Sequence, residues 1–185
     1  MHETMILPEI PAFDQNAASR AAARQAQLTK PPGSLGRLED LSVQLAGMTG
    51  RERPRFPRKS VIVMAADHGV ALAGVSAYPA EVTAQMAANI ANGGAAVSVL
   101  ARLNGARVLT VDIGVAGDLS HLPGVLNRKV AAGSRNMLAG AAMSRAQAEQ
   151  AILAGMQVLE HEVEIGLDLV ALGEMGIGNT TPASA

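Results

Sequence analysis

Three short apolar runs punctuate the chain, and helical spacing fills the stretches between them. Val61-Ile62-Val63-Met64-Ala65-Ala66 is continuous rather than alternating, the pattern of a strand covered on both faces. Arg107-Val108-Leu109-Thr110-Val111-Asp112-Ile113-Gly114 reads the same way, and so does Leu167 to Gly173. Between the first two runs, Pro79 is expected to open a helix running to about Asn92, with Glu81 in its first turn. After Gly93-Gly94 a further helical stretch runs to Asn104-Gly105. Residues 115–143 are irregular, with a short strand expected near Lys129–Ala131. Ser144 then caps a long helix to about Ile165, with Gln147 at the capping-box position.

Ahead of the first run the pattern is helical only. Asp14 to Leu28 is Ala-rich, with Asp14 as N-cap, and Lys30-Pro31-Pro32-Gly33-Ser34-Leu35-Gly36 breaks it. Leu38, Leu41, Leu45 and Met48 then mark a second helix. Strands alternating with helices predict an α/β fold: an open parallel sheet with flanking helices, Rossmann-like and three-layered. Residues 1–58 are expected to form part of a small helical domain and 59–185 the parallel α/β domain. Three strands alone would leave an unprotected edge. The chain also stops barely one turn into the helix opened by Pro182, so the α/β domain is expected to be truncated at its C-terminal end.

Composition narrows the chemistry. Of 185 residues 49% are hydrophobic but only 2% aromatic, so the core must be built from Ala, Val, Leu, Ile and Met. A formal net charge of -1 and the scarcity of stacking rings argue against nucleic-acid binding. The one basic cluster, Arg51-Glu52-Arg53-Pro54-Arg55 with Arg58 and Lys59, reads as a solvated connection. Zero cysteines remove disulfides and thiolate metal sites and suit a cytoplasmic protein. Met1–Pro8 lacks the pattern of a signal peptide, and no segment reaches the roughly 18 apolar residues of a membrane span, so no membrane partner is expected. His2, His68, His121 and His161 show no metal-ligand spacing, and no Gly-x-Ser-x-Gly elbow occurs.

In parallel sheets ligands bind at the carboxyl ends of the strands. That rule selects Asp67-His68, Asp112 and Glu174. Gly173-Glu174-Met175-Gly176-Ile177-Gly178-Asn179-Thr180-Thr181 has the glycines to bring backbone N–H groups close to an anion. Asn179, Thr180 and Thr181 add side-chain donors and N-cap groups. An ordinary glycine turn would carry the same residues, and the spacing is neither the dinucleotide nor the Walker pattern. Glu174 fits a base, an acceptor for ribose hydroxyls or a loop-stiffening carboxylate equally well. Asp67-His68 fits a structural turn as well as a site, and Met64 and Met86 fit plain core packing as well as a flat apolar pocket.

Four segments in order carry a resemblance. They are Lys30-Pro31-Pro32-Gly33-Ser34-Leu35-Gly36-Arg37-Leu38-Glu39, Ala65-Ala66-Asp67-His68-Gly69-Val70, Tyr78-Pro79-Ala80-Glu81-Val82-Thr83 and the Gly173–Thr181 loop. The set resembles the N-terminal half of the nicotinate-nucleotide–dimethylbenzimidazole phosphoribosyltransferase family. The resemblance implies transfer of phosphoribose from nicotinate mononucleotide to 5,6-dimethylbenzimidazole, giving α-ribazole 5′-phosphate and nicotinate in cobalamin lower-ligand assembly. It implies a homodimer with no cofactor and no metal. It makes Gly176, Ile177, Gly178, Asn179 and Thr180 the phosphate cradle and Glu174 a supporting acid near the ribose. Asp67, His68, Tyr78 and Met86 fall to the base and ribose pocket, with Asp112 a further candidate. The general base implied by the resemblance is a glutamate beyond Ala185. Two other classes stay open on the residues alone: a protein, or inactive fragment, that binds a nucleotide or flat base without catalysis, and, more distantly, a nicotinamide-dependent oxidoreductase without its glycine fingerprint.

Overall fold

The computed structural model of the chain describes residues 9–185. The reading of Met1–Pro8, and of His2 as no ligand, lies outside the described residues. Internal packing divides the chain into two compact units, Met1–Phe56 and Pro57–Ala185.

In the N-terminal unit, α1 spans Gln15–Gln27 and α2 spans Arg37–Thr49. Asp14 caps α1 as expected, its Oδ1 accepting from the Ala17 N–H at 2.9 Å. Ala17, Ala18 and Ala21 are buried on α1, and Ala46 and Gly47 on α2. Their small size lets the two backbones approach until the Asp14 N–H reaches the Gly47 carbonyl at 2.8 Å. The proline-glycine connection is closed by its own ends. Lys30 Nζ lies 2.6 Å from Glu39 Oε1, which also accepts from the Leu35 N–H at 3.1 Å. The Lys30 ammonium first, and the Leu35 N–H second, hold the Glu39 carboxyl below its ordinary range.

In the second unit the strands are β1 (Lys59–Ala66), β2 (Ala106–Gly114), β3 (Val125–Asn127) and β4 (Leu169–Met175). They form one sheet in the order β3-β2-β1-β4, and every neighbouring pair is parallel. The helices are α3 (Val82–Ala91), α4 (Ala96–Leu103), α5 (Arg145–Glu164) and the short α6 (Thr180–Ser184). One face of the sheet packs Ile62 and Val111 against Val158 of α5. The other packs Ala65 and Val63 against Ala87 and Ile90 of α3. Alternate residues of β1 thus serve opposite layers, which is why its run is apolar without interruption. The α/β architecture, a parallel sheet with flanking helices, is as expected.

Several element positions differ from the sequence reading. The third strand in chain order is Val125–Asn127, not the neighbourhood of Lys129–Ala131, because Val125 and Leu126 are the side chains that reach the core. Pairing continues irregularly past it, with the Arg128 and Val130 N–H groups donating to Asp112 and Ile113 carbonyls at 2.9 and 3.0 Å. The sheet therefore has four strands rather than three. Pro79 starts a turn, not α3: the Val82 and Thr83 N–H groups donate to the Pro79 and Ala80 carbonyls, and the helix proper begins at Val82. The strand expected from Leu167 to Gly173 runs later, so Glu174 lies inside β4. The Ser144–Gln147 capping box is present in full. Arg58 is no free member of a solvated cluster: its guanidinium grips Asp168 through Nε at 3.0 Å and Nη2 at 2.8 Å.

Two buried carboxylates fasten the sheet. Glu162 of α5 accepts from Ser60 Oγ at 2.7 Å and pairs with Arg107, joining α5 to the starts of β1 and β2. Asp112, at the other end, accepts from the Val115 N–H at 2.9 Å and lies 3.2 Å from Lys129 Nζ. Lys129 in turn donates to the Gly117 carbonyl at 2.7 Å. Burial demands such partners for a charge. Asp112 is therefore a fastening for the loops after β2 and β3, not a pocket residue.

Candidate functional site

The strand order has one reversal. From β1 the sheet grows through β2 to β3 on one side, and β4 returns to the other side of β1. The crevice at the carboxyl ends of β1 and β4 is thus the topological switch point, where open α/β sheets bind ligands. Asp67, His68 and a 3-10 turn over Gly69–Ala73 follow β1. Gly176 to Asn179 follow β4. The structure brings these two loops together.

Contact between them is backbone-close. A Cβ placed on Gly176 would stand 2.2 Å from the Ala66 carbonyl oxygen and 2.7 Å from Cδ2 and Nε2 of His68. Gly178 has φ +81°, and a Cβ there would meet the Val75 side chain at 3.2 Å. Only glycine meets both conditions without displacing a neighbour. Between them, the buried Ile177 N–H donates to Thr83 Oγ1 of α3 at 3.0 Å. Asn179 N–H closes the turn on the Gly176 carbonyl at 3.0 Å. The outcome is a tight loop with its shape set from three sides.

Glu174 and Asn179 are coupled, since Asn179 Nδ2 donates to Glu174 Oε1. Asn179 occupies the N-cap position of α6 but makes no side-chain cap bond, contrary to the expected capping role. Its amide is engaged by the carboxylate instead. Glu174 pairs in register with Met64, so its side chain projects on the α5 side of the sheet, from an exposed edge strand.

Asp67 has a divided carboxylate. Oδ2 accepts from the Ala116 N–H at 2.7 Å, whereas Oδ1 is buried with no partner. Such an orphan acceptor calls for a donor or a cation from a ligand. The backbone here is fastened to the 133–134 loop: Ser134 N–H donates to the Asp67 carbonyl, and Gly69 N–H to the Ser134 carbonyl, both at 3.0 Å. Asp67 and His68 line a cavity of about 200 Å³ walled by Ala66, Ile113, Val130 and Met143. A larger hollow of about 350 Å³ lies in the N-terminal unit beside Lys30 and Glu39, which satisfy each other.

Tyr78 and Met86 do not line the 200 Å³ cavity. Met86 packs on Val63, Ile90 and Ala95, in the core position that remained open from sequence. Tyr78 is 67% exposed on the loop before α3. Thr83 is a site-shaping residue that the sequence reading did not single out. A threonine inside an otherwise apolar helix face was the available signal, but its partner is 94 residues away.

Residues 10–185 match the model of a family described as phosphoribosyltransferase. A protein of Roseiflexus sp. (strain RS-1) named nicotinate-nucleotide–dimethylbenzimidazole phosphoribosyltransferase is 56% identical over 179 residues, covering 97% of this chain and 51% of its own length. A protein of the same name from Chloroflexus aggregans is 56% identical over 182 residues, covering 98% and 52%. The crystal structure of the Thermus thermophilus protein of that name matches with a TM-score of 0.88 at 46% identity, over 93% of this chain and 52% of that one. The chain spans about half the length of the curated relatives it matches. With its fold, its switch-point loops and nearly its whole length in agreement, the chain belongs to this phosphoribosyltransferase family.

Proposed function

We propose that the chain serves transfer of the phosphoribosyl group of nicotinate mononucleotide to 5,6-dimethylbenzimidazole, giving α-ribazole 5′-phosphate and nicotinate. The observation that carries this reading is the meeting of Asp67-His68 with the Gly176–Gly178 loop at the switch point. The Gly176–Thr180 loop holds the 5′-phosphate with backbone N–H groups. Glu174, steadied by Asn179, accepts from the ribose hydroxyls. Tyr78 and Met86 border the acceptor base on the α3 side.

In the reaction an unprotonated benzimidazole nitrogen attacks the anomeric carbon from the face opposite the pyridinium. The carbon–nitrogen bond to the pyridinium breaks and its electron pair returns to the ring, so a cationic leaving group departs neutral. The benzimidazole N–H proton passes to a carboxylate, which the family resemblance assigns to a late glutamate beyond residue 185. This chain's residues supply position and orientation, which are worth most when two rings must align on one carbon. The working form is a cytoplasmic homodimer, as the resemblance implies. No helix among the described residues is long and apolar enough to cross a membrane.

The test is release of nicotinate from nicotinate mononucleotide by the polypeptide as its gene encodes it. Nicotinate and α-ribazole 5′-phosphate are expected in equal amounts, and only when dimethylbenzimidazole is present. Saturable binding of both substrates with no product would overturn the transferase reading.

A further inference from the structure

Inversion at an anomeric carbon needs two ring sites, one on each side of the ribose. The residues assigned above to the acceptor, Tyr78 and Met86, lie before and within α3, on one face of the sheet. The 200 Å³ cavity opens on the other face, with Gln147 and Ala151 of α5 in its wall. We propose that this cavity seats the departing pyridine ring of nicotinate mononucleotide. The proposal rests on the transferase reading and adds a separate subsite for the donor.

Size, lining and charge favour that occupant. An apolar cavity of about 150 Å³ is enough for a benzene-sized ring. A volume of about 200 Å³ therefore takes one six-membered ring with its carboxylate, while a dimethylated bicycle is bulkier. The walls are Ile113, Val130, Ala131, Met143 and Ala151, with Ser134 and Gln147 as donors for the ring carboxylate. His68 belongs to both places: it lines the cavity, and its ring lies against Gly176 of the phosphate loop. A ring in the cavity is thus next to the loop that holds the other end of the nucleotide.

The orphan Oδ1 of Asp67 gives the cavity a preference between substrate and product. A carboxylate attracts the quaternary pyridinium and gains nothing comparable from a neutral pyridine. When the electron pair of the broken bond returns to the ring nitrogen, that attraction ends. Nicotinate is then held only by the apolar walls and its carboxylate. The neutral acceptor base receives no such discrimination.

Ala151→Leu fills the cavity from α5, and Ala131→Val fills it from the opposite loop, so the test survives if one variant fails to fold. Each is expected to raise KM for nicotinate mononucleotide, and the inhibition constant of nicotinate, about tenfold. KM for dimethylbenzimidazole is expected to stay within about twofold. Asp67→Asn is expected to narrow the ratio between nicotinate mononucleotide and nicotinate affinities. A rise confined to dimethylbenzimidazole, or no change in any constant, would overturn the proposal. If the wild type releases no nicotinate, the transferase reading fails by itself. Ligand-observed NMR with nicotinate then decides the cavity: binding lost in Ala151→Leu upholds it, and equal binding or none sinks it.

Discussion

The His68 ring occupies the place where a side chain on Gly176 would begin, 2.7 Å from where its Cβ would stand, with the Ala66 carbonyl closer still at 2.2 Å. The end of β1 and the loop after β4 are therefore matched surfaces, and a single methyl between them has nowhere to go. A ring can rotate away, but a strand-end carbonyl cannot without breaking the sheet.

Gly176→Ala is accordingly expected to displace the loop rather than be absorbed. The cost should be about 1–3 kcal/mol, the range for overpacking a close contact. Nicotinate release should fall together with phosphate affinity. A variant with wild-type Tm and wild-type KM for nicotinate mononucleotide would show that the loop is not held against β1 as described.

Thr83→Val tests the same loop from the other side. Valine keeps the shape but removes the oxygen that accepts the buried Ile177 N–H at 3.0 Å. Leaving that donor unpaired should cost about 1–3 kcal/mol. Because the donor lies between Gly176 and Gly178, KM for nicotinate mononucleotide should rise more than kcat falls. Urea denaturation together with steady-state kinetics measures both.

Arg107 and Glu162 should respond unequally to mutation. The Glu162 side chain is 4% exposed and that of Arg107 58%. Glu162→Gln leaves a guanidinium that water can reach and keeps a partner for Ser60 Oγ, so about 1 kcal/mol is expected. Arg107→Met leaves a buried carboxylate with only a hydroxyl, and about 3 kcal/mol is expected. Equal losses in chemical denaturation would contradict this account of the pair.

Glu39 provides a pH test in the N-terminal unit. Its folded carboxyl is held below the ordinary value of 4.5, chiefly by Lys30 and then by the Leu35 N–H. A lowered folded value means the stabilisation is present above 4.5 and is lost as the pH falls through the folded value. Glu39→Gln should therefore be less stable than wild type at neutral pH and indistinguishable from it in strong acid. A difference that persists undiminished at low pH would refute the role of the charge.

Much of the fold was legible in sequence because it depends on near neighbours. The runs at Val61–Ala66 and Arg107–Gly114, the Asp14 cap and the Ser144–Gln147 capping box each use residues within a few positions of one another. The site motifs at Asp67-His68 and Gly176–Thr180 were visible for the same reason: glycine and strand-end acids are local signals. Where a motif reached its ends by itself, as Lys30 does with Glu39, reading and structure concern the same contact.

What tertiary structure alone decided was which of these segments meet. Strand order is a choice among long-range pairings of similar apolar runs, so nothing local announces that β4 lies beside β1 and makes a switch point there. Asp112, Asp67 and Glu174 look alike in sequence as acids at or near strand ends. Only burial separates them: Asp112 is neutralised by Lys129, Asp67 keeps one oxygen without a partner, and Glu174 stays exposed with Asn179. The short strand at Val125–Asn127 and the bond from Ile177 to Thr83 likewise depend on partners distant in sequence. The sequence by itself determined an α/β chain with an anion-suited glycine loop. The packing of that loop against His68 and Thr83 determined where the loop sits and how rigidly, because a contact across the sheet exists only once the sheet has formed.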